Sequence, residues 1–519
     1  MTNSALCLFA CIALAAAAGC ASLPETVQRT PTRAYADTTD TRLGRSLGPP
    51  AAANVGKTGV LALPNGRDAF AARVLLARAA ERSLDVQYYI WHRDTSGGLL
   101  ALALWEAAER GVRVRMLLDD ANTQRLDDML ATLDGHPNIE VRLFNPFPNR
   151  SWRIADFATD FSRVNRRMHN KSFTADNQVA IVGGRNIGDE YLGADSAVEF
   201  ADLDVVTTGA LVSDVSADFD AYWNSPPAYP ASAIIAPVPP ETATRVREEW
   251  AALRQSPKAA AYITAVRDLP LVSQVLAGTV PFEWVAARLV SDDPLKVVNP
   301  PERKDLQMVP RLQRALGTPV NEVLIVSPYF VPTSEGTAAL LAHAQRGVSI
   351  RVLTNSLASS DVAPVYAGYS NYRQELLRGG VRLYELKGKP QEDKDREHDP
   401  AFGSRGGSSG ASLHTKAFGV DKRRIFVGSF NFDPRSARLN TEMGVVMESA
   451  TLAMQLSDVF DRKLSLVAYE VRMADDGQSV IWIDRTGPDE IRLVTAPEAG
   501  LLKRMWIGFL SILPIEWLL

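Results

Sequence analysis

Cysteine is missing from almost the whole chain. All three cysteines of the 519 residues, Cys7, Cys11 and Cys20, lie within the first twenty positions. Residues 21–519 therefore contain no disulfide framework, and this part of the protein must be stabilised by an ordinary packed core.

An excess of charge of either sign is also missing. The chain has 56 Lys and Arg against 60 Asp and Glu, which gives a net charge of −4. General nucleic-acid binders carry a basic excess or stripe, so no nucleic-acid partner is expected. The 46% hydrophobic and 22% charged content is typical of a folded protein. The length favours two domains or more.

The N-terminal apolar stretch, residues 5–18, ends in small residues just before Cys20. It resembles a bacterial lipoprotein signal, in which cleavage before the cysteine leaves a lipidated N-terminus. We predict a signal at 1–20, lipidation of Cys20, and a membrane-anchored envelope protein that faces the periplasm. Because Ala17 replaces the usual Leu and residues 1–6 lack Lys and Arg, an ordinary secretory signal or a short anchor stays open.

The rest of the chain repeats itself. In each half a strand pattern, a helix pattern and a second strand pattern follow one another, and the helix-to-strand junction is Arg-Gly-Val both times, at 110–112 and 346–348. This order predicts parallel pairing and an α/β fold, with two pseudo-symmetric α/β/α halves, each a mixed β-sheet flanked by helices. The predicted segments are a flexible tether at 21–56, the halves at 57–224 and 281–475, a connecting insertion at 225–280, and a C-terminal tail at 476–519.

Each half carries one copy of the pattern His-x-Lys-x4-Asp. The copies are His169, Lys171 and Asp176 in the first half and His414, Lys416 and Asp421 in the second. In both, an Asn follows the His by seventeen residues, namely Asn186 and Asn431. One such pattern would be a weak signal, but two matching copies in a chain that already repeats are specific.

The spacing has a physical reason. Residues i and i+2 of a strand lie on one face, so His and Lys point into the same pocket. The Asp lies at a turn, where its carboxylate can accept hydrogen bonds from backbone N–H groups. The Asn follows a short return strand, and its amide can donate to a phosphate oxygen.

These motifs resemble those of the phospholipase D superfamily, whose members bring two copies together across a pseudo-two-fold axis. The resemblance implies that one histidine attacks phosphorus to form a phosphohistidine, while the other protonates the leaving alcohol and then activates the acceptor. Family analogy favours His169 as the nucleophile. The lysines and asparagines of both motifs would bind the phosphate oxygens, and no metal or other cofactor is required.

The superfamily pattern also includes an acidic residue that orients each histidine. Glu442 takes this place in the second half, and Asp202 is its counterpart in the first after a five-residue insertion. Asp204 and Glu199 stay open as alternatives. Asp119 and Asp120 form a possible metal pair, but carboxylates after a strand end more often bond the backbone, and we interpret them that way.

Longer stretches of the sequence resemble one particular family within this superfamily. Residues 84–91, 165–191 and 428–435 are similar to those of cardiolipin synthases, most of all to the C subgroup, which joins the phosphatidyl group of phosphatidylethanolamine to phosphatidylglycerol. The resemblance implies phospholipid substrates, with phosphatidylglycerol as an alternative donor. Tyr191, Arg435 and Ser436 are candidates for the headgroup site. A phospholipase D hydrolase that releases phosphatidic acid, and a secreted phosphodiesterase or nuclease, stay open as alternatives.

The C-terminus, residues 501–519, is apolar, with Trp, Phe and Leu beside Lys503 and Arg504. The run is too short to span a bilayer and contains Pro514. It is predicted either to lie at a membrane interface or to pack on the protein body.

Overall fold

Each predicted half forms one large β-sheet in the computed structural model of the protein. The structure describes residues 22–24, 26–194, 200–277, 279–360, 362–388 and 412–519. Cys20, the predicted signal at 1–20 and Glu199 lie outside the described residues.

The strands follow the sequence pattern closely. Those of the first half are β1 (Thr58–Leu63), β2 (Ser83–Tyr88), β3 (Arg113–Asp119), β4 (Ile139–Phe144), β5 (Ser172–Ala175), β6 (Val179–Gly183), β7 (Phe200–Ala201), β8 (Asp204–Gly209), β9 (Ala228–Pro230) and β10 (Glu283–Val285). Those of the second half are β11 (Ala287–Ser291), β12 (Glu322–Val326), β13 (Ser349–Asn355), β14 (Arg382–Leu386), β15 (Ser412–Leu413), β16 (Ala417–Val420), β17 (Arg424–Gly428), β18 (Met443–Met447), β19 (Ala468–Met473), β20 (Val480–Asp484) and β21 (Ile491–Leu493).

The two sheets have the same internal order. The first runs β10-β1-β8-β6-β5-β2-β3-β4-β9 and the second β11-β18-β17-β16-β12-β13-β14-β19-β20-β21. In each, three neighbouring strands are parallel, β2-β3-β4 and β12-β13-β14, and the remaining pairs are antiparallel. The mixed sheets and the two-fold repeat expected from the sequence are therefore present.

Helices cover the sheets. They are α1 (Arg42–Ala52), α2 (Gly66–Ala79), α3 (Thr95–Glu109), α4 (Asp127–Asp134), α5 (Ile154–Thr159), α6 (Phe161–Val164), α7 (Asp189–Leu192), α8 (Ala210–Trp223), α9 (Pro240–Gln255), α10 (Pro257–Arg267), α11 (Pro270–Ala277), α12 (Val309–Leu316), α13 (Thr333–Gln345), α14 (Ala363–Arg378), α15 (Pro434–Arg438), α16 (Ala450–Asp458), α17 (Leu464–Val467) and α18 (Leu501–Ser511). Single 3₁₀ or π turns lie at Asp120–Asn122, Ala231–Ala233, Pro294–Val298, Lys304–Leu306, Val459–Lys463 and Glu516–Leu518.

The repeated Arg-Gly-Val junctions end α3 and α13. Gly111 and Gly347 have φ angles of 90° and 88°, a left-handed conformation that glycine adopts without steric cost. After Gly111 the N–H of Val112 donates to the carbonyl of Ala107, which closes the last turn of the helix. The glycine thus turns the chain from the helix into the parallel strand that follows.

The two sheets share a core. Val182 and Val205 of the first sheet belong to the same buried apolar cluster as Val427 and Val445 of the second. The chain passes from one sheet to the other at Ala286, because β10 pairs with β1 whereas β11 pairs with β18. The second half therefore begins at 287 in structural terms, a few residues after the predicted boundary at 281.

Residues 29–52 differ from the flexible tether that their composition predicted. Arg29 donates to the carbonyls of Ala228 and Pro226, the N–H of Ala34 donates to Asp220, and α1 follows. This segment packs because it forms hydrogen bonds with residues far away in the chain, which an amino-acid composition does not reveal.

The connecting insertion and the tail also belong to the two bodies. In the insertion, β9 extends the first sheet, and Trp250 and Tyr262 join the core of the first half. In the tail, β20 and β21 extend the second sheet, and Ile507 of α18 joins the core of the second half. Within the described ranges, the helices are all too short or too polar to cross a membrane.

Candidate active site

Each motif leads into a two-stranded hairpin at the centre of its sheet. In the first, His169 and Lys171 lie just before β5, and Asp176 lies at the turn between β5 and β6; the second motif is arranged in the same way about β16 and β17. The two turn residues of each hairpin, Asp176-Asn177 and Asp421-Lys422, have φ angles between 49° and 54°. Positive φ at both positions gives the type I′ turn that Asp and Asn favour and that suits the twist of the strands.

The motif aspartates bind backbone groups. The carboxylate of Asp176 accepts hydrogen bonds from the N–H groups of residues 81–83, at 2.7–3.2 Å. Asp421 does the same with residues 320–322, at 2.6–3.3 Å. Seven residues separate Asp176 from His169, which corresponds to about 20 Å of extended chain. The structure thus shows the predicted turn role of Asp176 and Asp421, while their place in the catalytic set with the His and Lys of each motif stays a prediction.

The histidines pair with carboxylates across the two halves. Nδ1 of His169 lies 2.8 Å from Oε2 of Glu442, and Nδ1 of His414 lies 2.5 Å from Oδ2 of Asp202. Each histidine is thus held by the acidic residue of the opposite half. Of the candidates in the first half, Asp204 is instead bound to Arg73, so Asp202 is the counterpart of Glu442.

Backbone bonds bring these pairs together. The N–H of His169 donates to the carbonyl of Thr441, the residue before Glu442, at 2.8 Å. In the same way the N–H of His414 donates to the carbonyl of Ala201, before Asp202, at 2.8 Å, where β7 pairs with β15. The pseudo-two-fold axis therefore relates complete His–carboxylate units and not only motifs.

The two carboxylates have different surroundings. Glu442 accepts hydrogen bonds from Ser429 and Ser436, and its backbone N–H donates to Asp292. Asp202 lies against Gly184, the position that corresponds to Ser429. A Cβ at Gly184 would come within 2.2 Å of Oδ1 of Asp202. Asp202 thus occupies the space that a side chain at position 184 would need. At the corresponding position of the other half, Ser429 is a hydrogen-bond partner of the longer Glu442.

The lysines and asparagines of both motifs are buried. Nζ of Lys171 and Nζ of Lys416 each donate to the backbone carbonyl of their own motif histidine at 2.6 Å. Oδ1 of Asn186 accepts from the N–H of Ile90 at 3.1 Å, while its buried Nδ2 has no hydrogen-bond partner among the described residues. Asn431 is also buried. An unpaired buried amide donor is costly, so it marks a place that an anionic oxygen would fill.

Aromatic rings enclose both histidines. The ring of Tyr89 meets that of His169 edge-on at 4.9 Å and lies 5.3 Å from Nζ of Lys171. Tyr191 and Phe200 contact His414 at 5.2 and 5.6 Å. Tyr89 and Phe200 were not singled out from the sequence, because aromatic residues in strands are most often core.

The electrostatic environment lowers the pKa of both imidazoles. Burial lowers the pKa of His169 well below its usual value, and the charges of Lys171 and Lys416 lower it further. Burial also lowers the pKa of His414, but the charge and hydrogen bond of Asp202 act against this. Burial raises the pKa of Glu442, whereas for Asp202 the charge and hydrogen bond of His414 outweigh burial and lower the pKa.

Other acidic residues near the site have partners of their own. Asp119 binds Arg167 and the backbone N–H groups of Met168 and Ala121, and Asp120 binds Arg150. Both aspartates therefore bind neighbouring groups of the protein, as interpreted from the sequence. His92, Asp94 and Glu190 form a half-exposed group whose ligand atoms lie within 4.8 Å of one another.

Both halves of the chain match a known protein family. The family model described as cardiolipin synthase, phospholipase D-like domain, matches residues 75–223 and 312–464, one match in each half. The chain is 47% identical over 480 residues to cardiolipin synthase C of Escherichia coli, an alignment that covers 92% of this chain and all of that protein. The chain belongs to the cardiolipin synthase family of phospholipase D-like proteins.

A more distant relative and one solved structure are also similar to this chain. Cardiolipin synthase A of Pseudomonas entomophila is 28% identical over 419 residues, which covers 79% of this chain and 70% of that protein. The crystal structure of phosphatidylserine synthase from Haemophilus influenzae shares the fold, with a TM-score of 0.52, 14% identity, and coverage of 81% of this chain and 91% of that one.

The headgroup candidates of this family member take different places. Tyr191 contacts His414, as described above, and Ser436 holds Glu442 at 2.8 Å. Arg435 instead binds the carbonyl and the side chain of Asn165, both at 2.8 Å, and the carbonyl of Leu518 at 2.9 Å. Arg435 therefore ties the C-terminus to the segment that leads into the first motif.

Proposed function

We propose that this protein is a cardiolipin synthase that transfers a phosphatidyl group from phosphatidylethanolamine to phosphatidylglycerol. The observation that carries the proposal is the reciprocal arrangement in which each motif histidine binds the carboxylate of the other half. Membership in the cardiolipin synthase family supports lipid substrates. The enclosed position of the histidines supports transfer over hydrolysis.

The first step forms a phosphohistidine. A carboxylate acceptor requires the proton of His169 on Nδ1, which leaves the Nε2 lone pair to attack phosphorus. As the P–N bond forms, the bond from phosphorus to the ethanolamine oxygen breaks, and His414, which enters this step as an imidazolium paired with Asp202, gives that oxygen its Nε2 proton. The contribution of Asp202 to the pKa of His414 favours His414 as the acid, and His169 as the nucleophile.

The second step reverses these roles. The hydroxyl of phosphatidylglycerol gives its proton to His414 and attacks phosphorus, and the P–N bond to His169 breaks. Cardiolipin leaves with both histidines restored. During both steps Lys171, Lys416, Asn186 and Asn431 would hold the non-bridging oxygens, where negative charge accumulates in the transition state.

An alcohol acceptor must compete with water at the phosphohistidine. Only 8% of His169 and 9% of His414 is exposed, and the rings of Tyr89, Tyr191 and Phe200 lie against them. Such an enclosed pocket restricts the entry of water. This observation favours transferase over hydrolase activity.

The test uses the purified full-length chain with labelled phosphatidylethanolamine, with and without phosphatidylglycerol, and resolves the lipids by mass spectrometry. We expect labelled cardiolipin and free ethanolamine only when both lipids are present. His169→Ala and His414→Ala should abolish the product, whereas His343→Ala, a substitution at a surface histidine, should not.

Each alternative has its own product in this assay. Phosphatidic acid alone would indicate a hydrolase. Cardiolipin and glycerol from phosphatidylglycerol alone would indicate the other donor. Cleavage of a chromogenic phosphodiester without any lipid turnover would indicate a phosphodiesterase.

Membrane attachment through Cys20, in the envelope and facing the periplasm, is part of the proposal and rests on the sequence pattern of the signal. Replacing Cys20→Ala should remove incorporated palmitate and should reduce the amount of protein in the membrane fraction. Unchanged palmitate labelling of the variant would contradict lipidation at Cys20.

A further inference from the structure

The C-terminal helix α18 has two apolar faces. Ile507 and Leu510 are buried in the core of the second half. Six other large apolar side chains remain between 50% and 81% exposed: Leu501, Leu502, Met505, Trp506, Phe509 and Ile512. Soluble proteins seldom expose a contiguous apolar area of this kind without a partner for it.

The exposed side chains form one stripe. At 100° per residue, the six positions fall within about 140° of the helix circumference, and the two buried positions lie outside it. Trp506 and Phe509 stack within this stripe, with ring centroids 5.6 Å apart. The second face is therefore a continuous surface and not a scatter of single residues.

A second group of exposed apolar side chains lies where Trp517, from the same C-terminal segment, meets the first half. Trp517, which is 57% exposed, contacts Phe161 at 6.4 Å, and Phe161 contacts Phe157 at 6.4 Å. Trp152 and Ile154, in the same segment, are 67% and 65% exposed. We call the surface made by Trp152, Ile154, Phe157, Phe161, Trp517 and the exposed stripe of α18 the docking face.

The charged residues of the α18 segment have one sign. Residues 499–515 contain Lys503 and Arg504 and no acidic residue. Both cations are half-buried and flank the exposed stripe. Tryptophan, phenylalanine and leucine beside lysine and arginine are the composition of helices that lie in the interface of an anionic bilayer.

The docking face is connected to the active site by short links. Arg435 donates to the carbonyl of Leu518, and its backbone N–H donates to the carbonyl of Leu519. The same guanidinium holds Asn165, four residues before His169. A surface held in this way cannot move far from the first motif.

We propose that the docking face inserts into the interface of an anionic phospholipid bilayer and so positions the histidine pair at the source of its substrates. The proposal rests on the proposed function for the identity of those substrates. It adds an attachment that is independent of lipidation at Cys20 and that both halves build together.

The test uses the full chain with Cys20→Ala, so that lipidation cannot hide the effect. Flotation with vesicles of phosphatidylethanolamine and phosphatidylglycerol should recover this protein, and vesicles of phosphatidylcholine should recover much less. Leu502→Glu/Phe509→Glu should lower the partition coefficient at least tenfold, and so should Trp152→Glu/Ile154→Glu. The matched control is Val55→Glu/Val320→Glu, which adds the same charge at exposed valines outside the docking face and should bind as the parent does.

Two further measurements separate the outcomes. Turnover of short-chain, monomeric phosphatidylethanolamine and phosphatidylglycerol should be equal in parent and variants. A parent protein that does not turn over these lipids would contradict the proposed function but not the docking face. If either double variant binds vesicles as tightly as the control, the docking face as defined here is wrong. A parent that sediments as a dimer, with variants that sediment as monomers and bind vesicles normally, would assign the face to a second copy of the chain.

Discussion

At the scale of single residues, the active site depends on which group each carboxylate touches. Glu442 and Asp202 contact only Nδ1 of their histidines and leave Nε2 for chemistry. The motif aspartates contact only backbone N–H groups. Residues of one chemical type thus divide into those that position a histidine and those that stabilise a turn.

Replacing Glu442→Gln should lower kcat by about 10²–10⁴ with little change in KM. An amide nitrogen facing Nδ1 selects the wrong tautomer and cannot stabilise an imidazolium. Initial rates of cardiolipin formation provide the measurement, and Asp202→Asn should behave alike. Glu448→Gln, at an exposed glutamate nearby, is the control. A Glu442→Gln enzyme that keeps more than a tenth of the parent kcat would contradict the positioning role.

The pH dependence of kcat/KM should reflect the low pKa of His169. A nucleophile whose pKa is depressed stays unprotonated as the pH falls, so the acidic limb should lie below the pH 6.5 of an ordinary histidine. Because the charge of Lys416 contributes to that depression, Lys416→Gln should move the limb to higher pH as well as lower the rate. An acidic limb at the same pH in both enzymes would exclude this electrostatic contribution.

At the scale of elements, the hairpins were the most predictable part of the structure. The residues from His169 to Asp176 predicted a strand followed by a tight turn. The turn is present, but the strand covers only Ser172–Ala175, and His169 and Lys171 precede it. The turn position of the aspartate also predicted its hydrogen bonds from backbone N–H groups, but only the structure shows that those groups lie where β2 and β12 begin. The hydrophobic periodicity could not show the packing of residues 29–34, which depends on hydrogen bonds with backbone and side-chain groups almost 200 positions away.

Asp176→Ala should destabilise the fold by about 2–4 kcal/mol, because it leaves buried backbone N–H groups without the charged acceptor they have now. Asp421 is less buried, and its backbone donors are more exposed, so Asp421→Ala should cost less. Chemical denaturation of both variants provides the comparison. The rate per folded molecule should stay within a few fold of the parent, and a large drop in kcat without loss of stability would support a catalytic role.

At the scale of the whole molecule, the two halves are not two active sites or two independent domains. Each provides the carboxylate for the histidine of the other, and valines of both sheets share one core. The repeat in the sequence predicted the two halves and their motifs. It could not predict the crossed pairing, because nothing in either motif specifies which carboxylate approaches which histidine until the sheets have packed.

Crossed pairing within a single chain makes a sharp prediction for mixtures of inactive variants. When His169→Ala and His414→Ala chains are unfolded together and refolded, no activity should return, because every chain lacks one histidine of its own site. If the halves instead exchanged between two chains, hybrid dimers would rebuild intact sites, about a quarter of the total in an equal mixture. The assay is cardiolipin formation, with refolded parent as the control for recovery. Activity near that quarter would show that the crossed pairs form between chains, and its absence beside a recovered parent would assign the complete site to one chain.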